Sequence, residues 1–201
     1  MDSIERAPAL AQALLAYERR WPEEATTVAL FLELLDDPEN PFLRQRLGGH
    51  FTGSAWVVSV DGQRTLLTHH RKLGRWLQPG GHADGDPDLA AVALREAEEE
   101  TGVPELALIE GTRIFDLDRH WIPERAGVPG HWHYDVRYVV SAGADERFVV
   151  SEESHALAWR PVVEILEQAA SDASMRRMAD KWLSRRGDWD APRPLGSQVS
   201  A

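Results

Sequence analysis

Glu96, Glu99 and Glu100 stand at i, i+3 and i+4 in the run Leu89-Ala90-Ala91-Val92-Ala93-Leu94-Arg95-Glu96-Ala97-Glu98-Glu99-Glu100-Thr101-Gly102. On a helix this spacing sets three carboxylates on one face within about a single turn. By themselves they are badly placed. Like charges at i,i+4 cost roughly 0.2–0.5 kcal/mol per pair. Acids near a helix C-terminus oppose the macrodipole at roughly 0.3–1 kcal/mol each when exposed. A cation held among them reverses both signs. An all-oxygen ligand set points to a hard ion, Mg2+ or Mn2+. For any one of these glutamates a solvated surface position is the plainer explanation; the pattern as a whole is what argues for the metal.

The elements that must position these acids are legible nearby. Asp86 is a candidate N-cap, Pro87 suits the first helical position, and Asp88 sits favourably at the positive end. Gly102 suits the left-handed residue past the helix end, followed by apolar Val103. Ala90, Ala93, Leu94, Ala97 and Thr101 form a small-residue stripe suited to packing on a sheet. Before the helix lies a Gly/Pro-containing segment, Lys72 to Gly85, with Gly80-Gly81 read as a turn.

Along the chain, residues 1–50 read as a helical extension. Helices are expected around Ala9–Tyr17 and from Pro22 to Leu35, with Pro8 and Pro22 in first turns. A short further helix is expected at Phe42–Leu47. Strands are expected at Ser54–Val60 and Arg64–His70 around an Asp61-Gly62 turn. Two more fall near Thr112–Ile122 and Trp132–Ser141, and a shorter one at Ala156–Arg160. Helices follow from Pro161 and over Ala173–Arg185. The organisation predicted is an α/β domain over residues 51–186, the helical extension before it and a flexible polar tail over 187–201.

Composition narrows the function classes. The formal net charge of −11 argues against a nucleic-acid polymer, whose phosphate backbone wants a basic surface. It leaves room for a small phosphorylated substrate bridged by divalent cations. No run approaches the roughly 18 apolar residues of a membrane span. The N-terminus lacks the pattern of a signal peptide. The absence of cysteine excludes thiol catalysis and thiolate zinc sites and fits a reducing compartment. A cytoplasmic protein without membrane partners is expected.

The segment Gly81–Val103 resembles the Nudix box: a glycine, five residues, an acidic residue, seven residues, then Arg-Glu-apolar-x-Glu-Glu-x-Gly-apolar. Gly81 matches the first glycine; Arg95, Glu96, Ala97, Glu99, Glu100, Gly102 and Val103 match the terminal signature. The family's first glutamate, which braces the loop–helix junction through the arginine, falls on Pro87; either Asp86 or Asp88 beside it takes that place, or the brace is missing. The resemblance implies a Nudix-type α/β/α sandwich around a mixed sheet. It implies Glu96, Glu99 and Glu100 as metal ligands, with the Gly80 carbonyl a further candidate, and Arg95 orienting Glu96. Gly81, Arg95 and Gly102 are then structural supports. The implied activity is cleavage of a phosphoanhydride bond in a nucleoside diphosphate linked to another moiety, with ADP-ribose or a similar nucleotide sugar as first candidate. A nucleotide-sensing module without turnover is the alternative. A homodimer also follows from the resemblance.

Further residues complete the expected site. Catalysis is assigned to Glu96, Glu99 and Glu153, the last favoured over Glu152 as general base because it precedes the strand carrying Trp159. Arg71 and Lys72, within the cationic run that continues to Arg75-Trp76, are assigned to phosphate binding. In His131-Trp132-His133-Tyr134-Asp135-Val136-Arg137 the alternation puts His131, His133, Asp135 and Arg137 on one strand face. This face is read as a pocket wall, with His131, His133 and Arg137 binding substrate and Asp118 and His120 joining from a neighbouring strand. A zinc site is not favoured, because no spacing supplies a third ligand.

Overall fold

The computed structural model describes residues 3–71, 74–109, 111–125, 127–151, 154–168 and 172–184. Its centre is a parallel pair of strands, β1 (His50–Val58) and β7 (His131–Ser141), in register from His50↔His133 to Val58↔Ser141. Every residue of β1 is buried, as expected of a strand covered on both faces. Beside it, β2 (Arg64–His70) pairs antiparallel at Val58↔Thr65, and the two strands diverge toward the other end. There β3 (Arg75–Leu77) pairs with β2 and β4 (Gly80–His82) with β1. On the far side of β7 lie β5 (Ala107–Leu108) and β6 (Asp116–Ile122), and β8 (Ser154–Pro161) flanks β2.

Strand alternation sends the two faces of this mixed sheet to different helices. One face carries Phe51, Ala55, Val57, Val136 and Val140 and is covered by α1 (Ser3–Arg20), α2 (Ala25–Leu35) and α3 (Leu89–Thr101). The other carries Trp56, Val58 and Val139 and packs on α4 (Val162–Glu167) and α5 (Ala173–Ser184). The result is an α/β/α sandwich. The N-terminal helices belong to its core: Leu14, Tyr17, Val28 and Phe31 are buried, and the Phe31 ring meets Tyr134 edge-on at 5.3 Å. Fully burying one such side chain contributes roughly 1.5–3 kcal/mol.

Several expectations are corrected. The first helix begins at Ser3, so Pro8 lies inside it and not in its first turn. Residues 42–47 form successive turns in place of a helix. Phe42 is stacked on Phe51 at 5.2 Å and the Arg46 guanidinium is tied to Asp37 and the Gly49 carbonyl, so tertiary anchoring overrides local helix propensity. Gly80-Gly81 is part of a strand and not a turn. The α3 cap is Asp88, whose side chain accepts from the Ala91 N–H at 3.2 Å. Asp86 instead accepts from the Asp88 N–H, holding the chain out of helical geometry two residues longer than expected. The tail assigned to 187–201 lies outside the described residues.

Candidate active site

Two glycines decide how the acidic helix meets the sheet. Gly53 on β1 and Gly81 on β4 are cross-strand partners, and both turn toward α3. A Cβ on Gly53 would come within 2.8 Å of the Leu89 carbonyl oxygen; one on Gly81 would overlap the Glu96 carboxylate. With neither present, α3 lies on the strands with Ala90, Val92, Ala93 and Ala97 buried beneath it. Val92 thus joins the packing face, while Leu94 is only half-buried. Gly102 ends the helix at φ 60°, its N–H on the Glu98 carbonyl at 2.9 Å.

The three glutamates then sit in different surroundings. Glu100 is buried, and its Oε1 accepts the Gly80 N–H at 3.2 Å. Glu96 is half-buried against Gly81, and Glu99 is exposed. Arg95 lies 4.0 Å from Glu96 and 3.8 Å from Asp86. At those distances it is a charge neighbour to both, not a hydrogen-bond partner. Of the two aspartates beside Pro87, Asp86 is the one that lies near Arg95. A hard-cation site is chemically well matched here: two carboxylates border the Gly80–Gly81 backbone, a third lies beside them in solvent, and the missing Cβ of Gly81 is the space Glu96 uses.

The face of the sheet turned away from α3 carries a second, histidine-rich group. Thr52, opposite His82 in the β1–β4 ladder, and Ser54 both donate to Asp135 Oδ1, at 2.9 and 2.7 Å. On the same face His50 stands beside His133 on β7, and His120 on β6 faces His133 from the other side. Ring centroids of His50 lie 5.2, 4.9 and 5.0 Å from those of His82, His131 and His133. Burial first, then the neighbouring histidines, push His133 down to about 2. Burial and the nearby Arg44 push His82 down to about 4. Burial likewise lowers His50. All three are neutral imidazoles at ordinary pH.

The remaining assigned residues are distributed as follows. His131 and His133 meet at 3.2 Å between their Nε2 atoms; across the β6–β7 ladder His120 faces His133 and Asp118 faces Asp135, with His120 Nδ1 3.1 Å from Asp118. Arg137 is buried, with Asp135 at 2.8 Å, Asp116 at 3.1 Å and Asp118 at 3.3 Å. It anchors a carboxylate cage in the interior and presents no free donor edge at a pocket mouth. The cage continues to Arg177 and to Lys181, which holds Asp116 at 2.7 Å and Glu24 at 2.5 Å. Arg71 is exposed, reaching the Ser154 carbonyl at 3.4 Å. Lys72 and Glu153 lie outside the described residues. A cavity of about 430 Å³ opens on the α4–α5 face, lined by Arg75, Trp76 and Arg160 among others; it is on the opposite face from the glutamate helix. The sequence reading missed His50 and His82. A signal existed: His82 directly follows the paired glycines, and His50 opens a buried strand.

A sandwich in which an acidic helix docks on paired strand glycines is the architecture of a Nudix domain. The NUDIX domain model matches residues 50–182, and the chain belongs to the Nudix hydrolase family. Solved structures agree on the fold. The MutT protein from Methanosarcina mazei Go1 aligns with TM-score 0.53 at 19% identity, over 71% of this chain and 99% of that one. A hydrolase of the NUDIX family from Clostridium perfringens aligns with TM-score 0.50 at 22% identity, over 68% and 97%. The E. coli dihydroneopterin triphosphate pyrophosphohydrolase gives TM-score 0.51 at 14% identity, over 67% and 95%. No curated protein matches the chain. Among the described residues no helix is long and apolar enough to cross a membrane.

Proposed function

We propose that the protein is a Mg2+- or Mn2+-dependent hydrolase that cleaves a phosphoanhydride bond in a nucleoside diphosphate joined to a second moiety, with ADP-ribose or a related nucleotide sugar as the first substrate to try. The observation that carries this reading is Glu96, Glu99 and Glu100 on one turn of α3, set against the bare backbone of Gly80 and Gly81.

A pyrophosphate brings at least two negative charges to a carboxylate-lined surface, so the acids cannot bind it unaided. Glu96, Glu99, Glu100 and the Gly80 carbonyl would hold a divalent cation, which would neutralise that charge and lower the pKa of a nearby water. The chain's own tasks are positional. Glu100, fixed through the Gly80 N–H, ties the helix to β4. Asp86 and Arg95 hold the loop–helix junction beside Glu96. Glu96, half-buried on Gly81, is read as one candidate to receive the proton of the attacking water at its carboxylate, with Glu153 as the other candidate base. Arg71, with Lys72, supplies cations for the phosphates, and His131 and His133 border the histidine-rich face. Arg137 is read as an organiser of that face, acting through Asp135.

The reading extends to a cytoplasmic homodimer, which light scattering tests directly. Activity is tested by incubating purified protein and magnesium with a panel of nucleotide sugars, dinucleoside polyphosphates and nucleoside triphosphates, identifying products by mass. Release of a nucleoside monophosphate from one class supports the proposal. Binding without release across the panel would leave a nucleotide sensor in its place.

A further inference from the structure

Three histidines meet on the sheet face turned away from α3. His50, His82 and His133 each offer a ring nitrogen, and these atoms all lie within 4.8 Å of one another. They come from three neighbouring strands, β1, β4 and β7: His50 pairs with His133, and His82 pairs with Thr52, two residues along β1 from His50. The rigid ladder, not a loop, sets their spacing.

The hydrogen bonds of His50 and His131 leave a proton-free Nε2 on each ring. His50 is 1% exposed. Its Nδ1 lies 3.2 Å from the Arg46 carbonyl, which can only accept, so that nitrogen carries the proton. The proton-free Nε2 is buried and has no partner. Burying an acceptor without a donor is unfavourable and uncommon in native proteins. His131 repeats the arrangement: Nδ1 donates to the Pro129 carbonyl at 2.8 Å, and Nε2 lies 3.2 Å from His133 Nε2. Two nitrogens bound to one tetrahedral ion at 2.0–2.1 Å stand about 3.3 Å apart. A ligating histidine commonly donates its other N–H to a backbone carbonyl in this way.

We propose that His50, His82 and His133, with His131 beside them, bind one borderline divalent transition ion, of which zinc is the type, at a site distinct from the carboxylates of α3.

The donor set selects the ion. Neutral imidazoles favour zinc and its neighbours and do not retain magnesium, which demands oxygen ligands and keeps its water. No thiol competes, since the chain has no cysteine. Among the described residues this is the one group of three or more such side chains whose ligand atoms converge so closely. The three convergent imidazoles leave a fourth tetrahedral position, which the His131 Nε2, 3.2 Å from that of His133, is placed to approach. His82 is one residue from Gly81, on which Glu96 rests, so the two sites lie on opposite sides of β4 and are separable by mutation.

The test is zinc uptake by the full chain in excess magnesium, followed by equilibrium dialysis with metal analysis, and the visible spectrum after cobalt(II) substitution. One zinc per chain and the absorption of a nitrogen-ligated, low-coordinate cobalt centre are expected. His82→Asn and His133→Asn should each weaken zinc binding by at least roughly 10–100-fold, while Glu99→Gln keeps full zinc stoichiometry. Because His50 is deeply buried, His50→Gln is interpreted only alongside a wild-type circular dichroism spectrum; the wild-type titration is decisive without it. Absence of zinc uptake by the wild type at micromolar metal overturns the proposal. So does unchanged affinity in both His82→Asn and His133→Asn, or loss of zinc in Glu99→Gln. Failure of the hydrolase assay leaves all these outcomes readable, since none depends on turnover.

Discussion

The carboxylate of Glu96 lies against the Cα of Gly81, in the space a side chain at that position would fill. The glycine that opens the family signature is therefore a seat for the first of the three helix acids. Its cross-strand partner Gly53 does a different job on the same face, admitting the backbone of α3 at Leu89.

These two glycines predict a separation of effects. Gly81→Ala displaces the end of a flexible side chain, so the fold survives and the Glu96 carboxylate moves. Turnover should fall by about 10²-fold, with weaker Mn2+ binding and a urea midpoint near wild type. Gly53→Ala meets a backbone oxygen that cannot turn aside and should destabilise by about 1–3 kcal/mol. Equal stability losses in the two variants would refute this account.

The glutamates predict a second contrast. Glu99 is exposed, so Glu99→Gln should leave thermal stability unchanged while removing most turnover, by about 10²-fold or more. Glu100→Gln should lose turnover similarly but also perturb the contact with the Gly80 N–H, visible as faster amide exchange at Gly80. Near-wild-type turnover in both purified variants would remove the metal assignment.

Asp86 and Asp88 flank Pro87 but act differently. Asp88→Ala removes the helix cap and should cost about 0.5–2 kcal/mol. Asp86→Ala loses a partly exposed neighbour of Arg95 and the acceptor of the Asp88 N–H, each worth about 1 kcal/mol or less, and it should also lower kcat as the junction beside Glu96 loosens. Paired urea melts and steady-state kinetics on the two variants check both halves.

Asp116 is fully buried among Arg137, Arg177 and Lys181. Asp116→Ala strands those cations and should destabilise by about 3–5 kcal/mol. Although burial raises its proton affinity, the surrounding Arg177, Lys181 and Arg137 more than offset this and hold its pKa below the usual carboxylate range. The unfolded chain takes up that proton near pH 3.9, so the contribution is present above that pH and is lost on further acidification through the folded value. Acid melts should show this loss in wild type and not in Asp116→Ala.

The histidines add an earlier acid effect in metal-free protein. His133, held near 2 by burial and its histidine neighbours, refuses a proton that the unfolded chain accepts near pH 6.5. Stability should therefore be unaffected above that pH and decline as pH falls below it, continuing toward the folded value. In chelator, melting temperatures from pH 7 to 4 should fall more steeply for wild type than for His133→Gln. Parallel curves would remove the effect.

What the sequence determined by itself was local. The i, i+3, i+4 glutamates, the Asp–Pro–Asp start and Gly102 at the end act within a few residues of one another, so spacing alone placed α3 and its acids. Period-two alternation likewise located β2 and put His131, His133, Asp135 and Arg137 on one face. What only the tertiary structure decided was which distant residues share that face. The β1–β7 and β1–β4 ladders bring His50 and His82 to His133, and β6 with α5 closes carboxylates and cations around Arg137. Register between strands far apart in the chain depends on packing both sheet faces at once, and no local pattern encodes it. That is why the pocket wall read from one strand acquires its third metal-competent nitrogen only when the sheet is assembled.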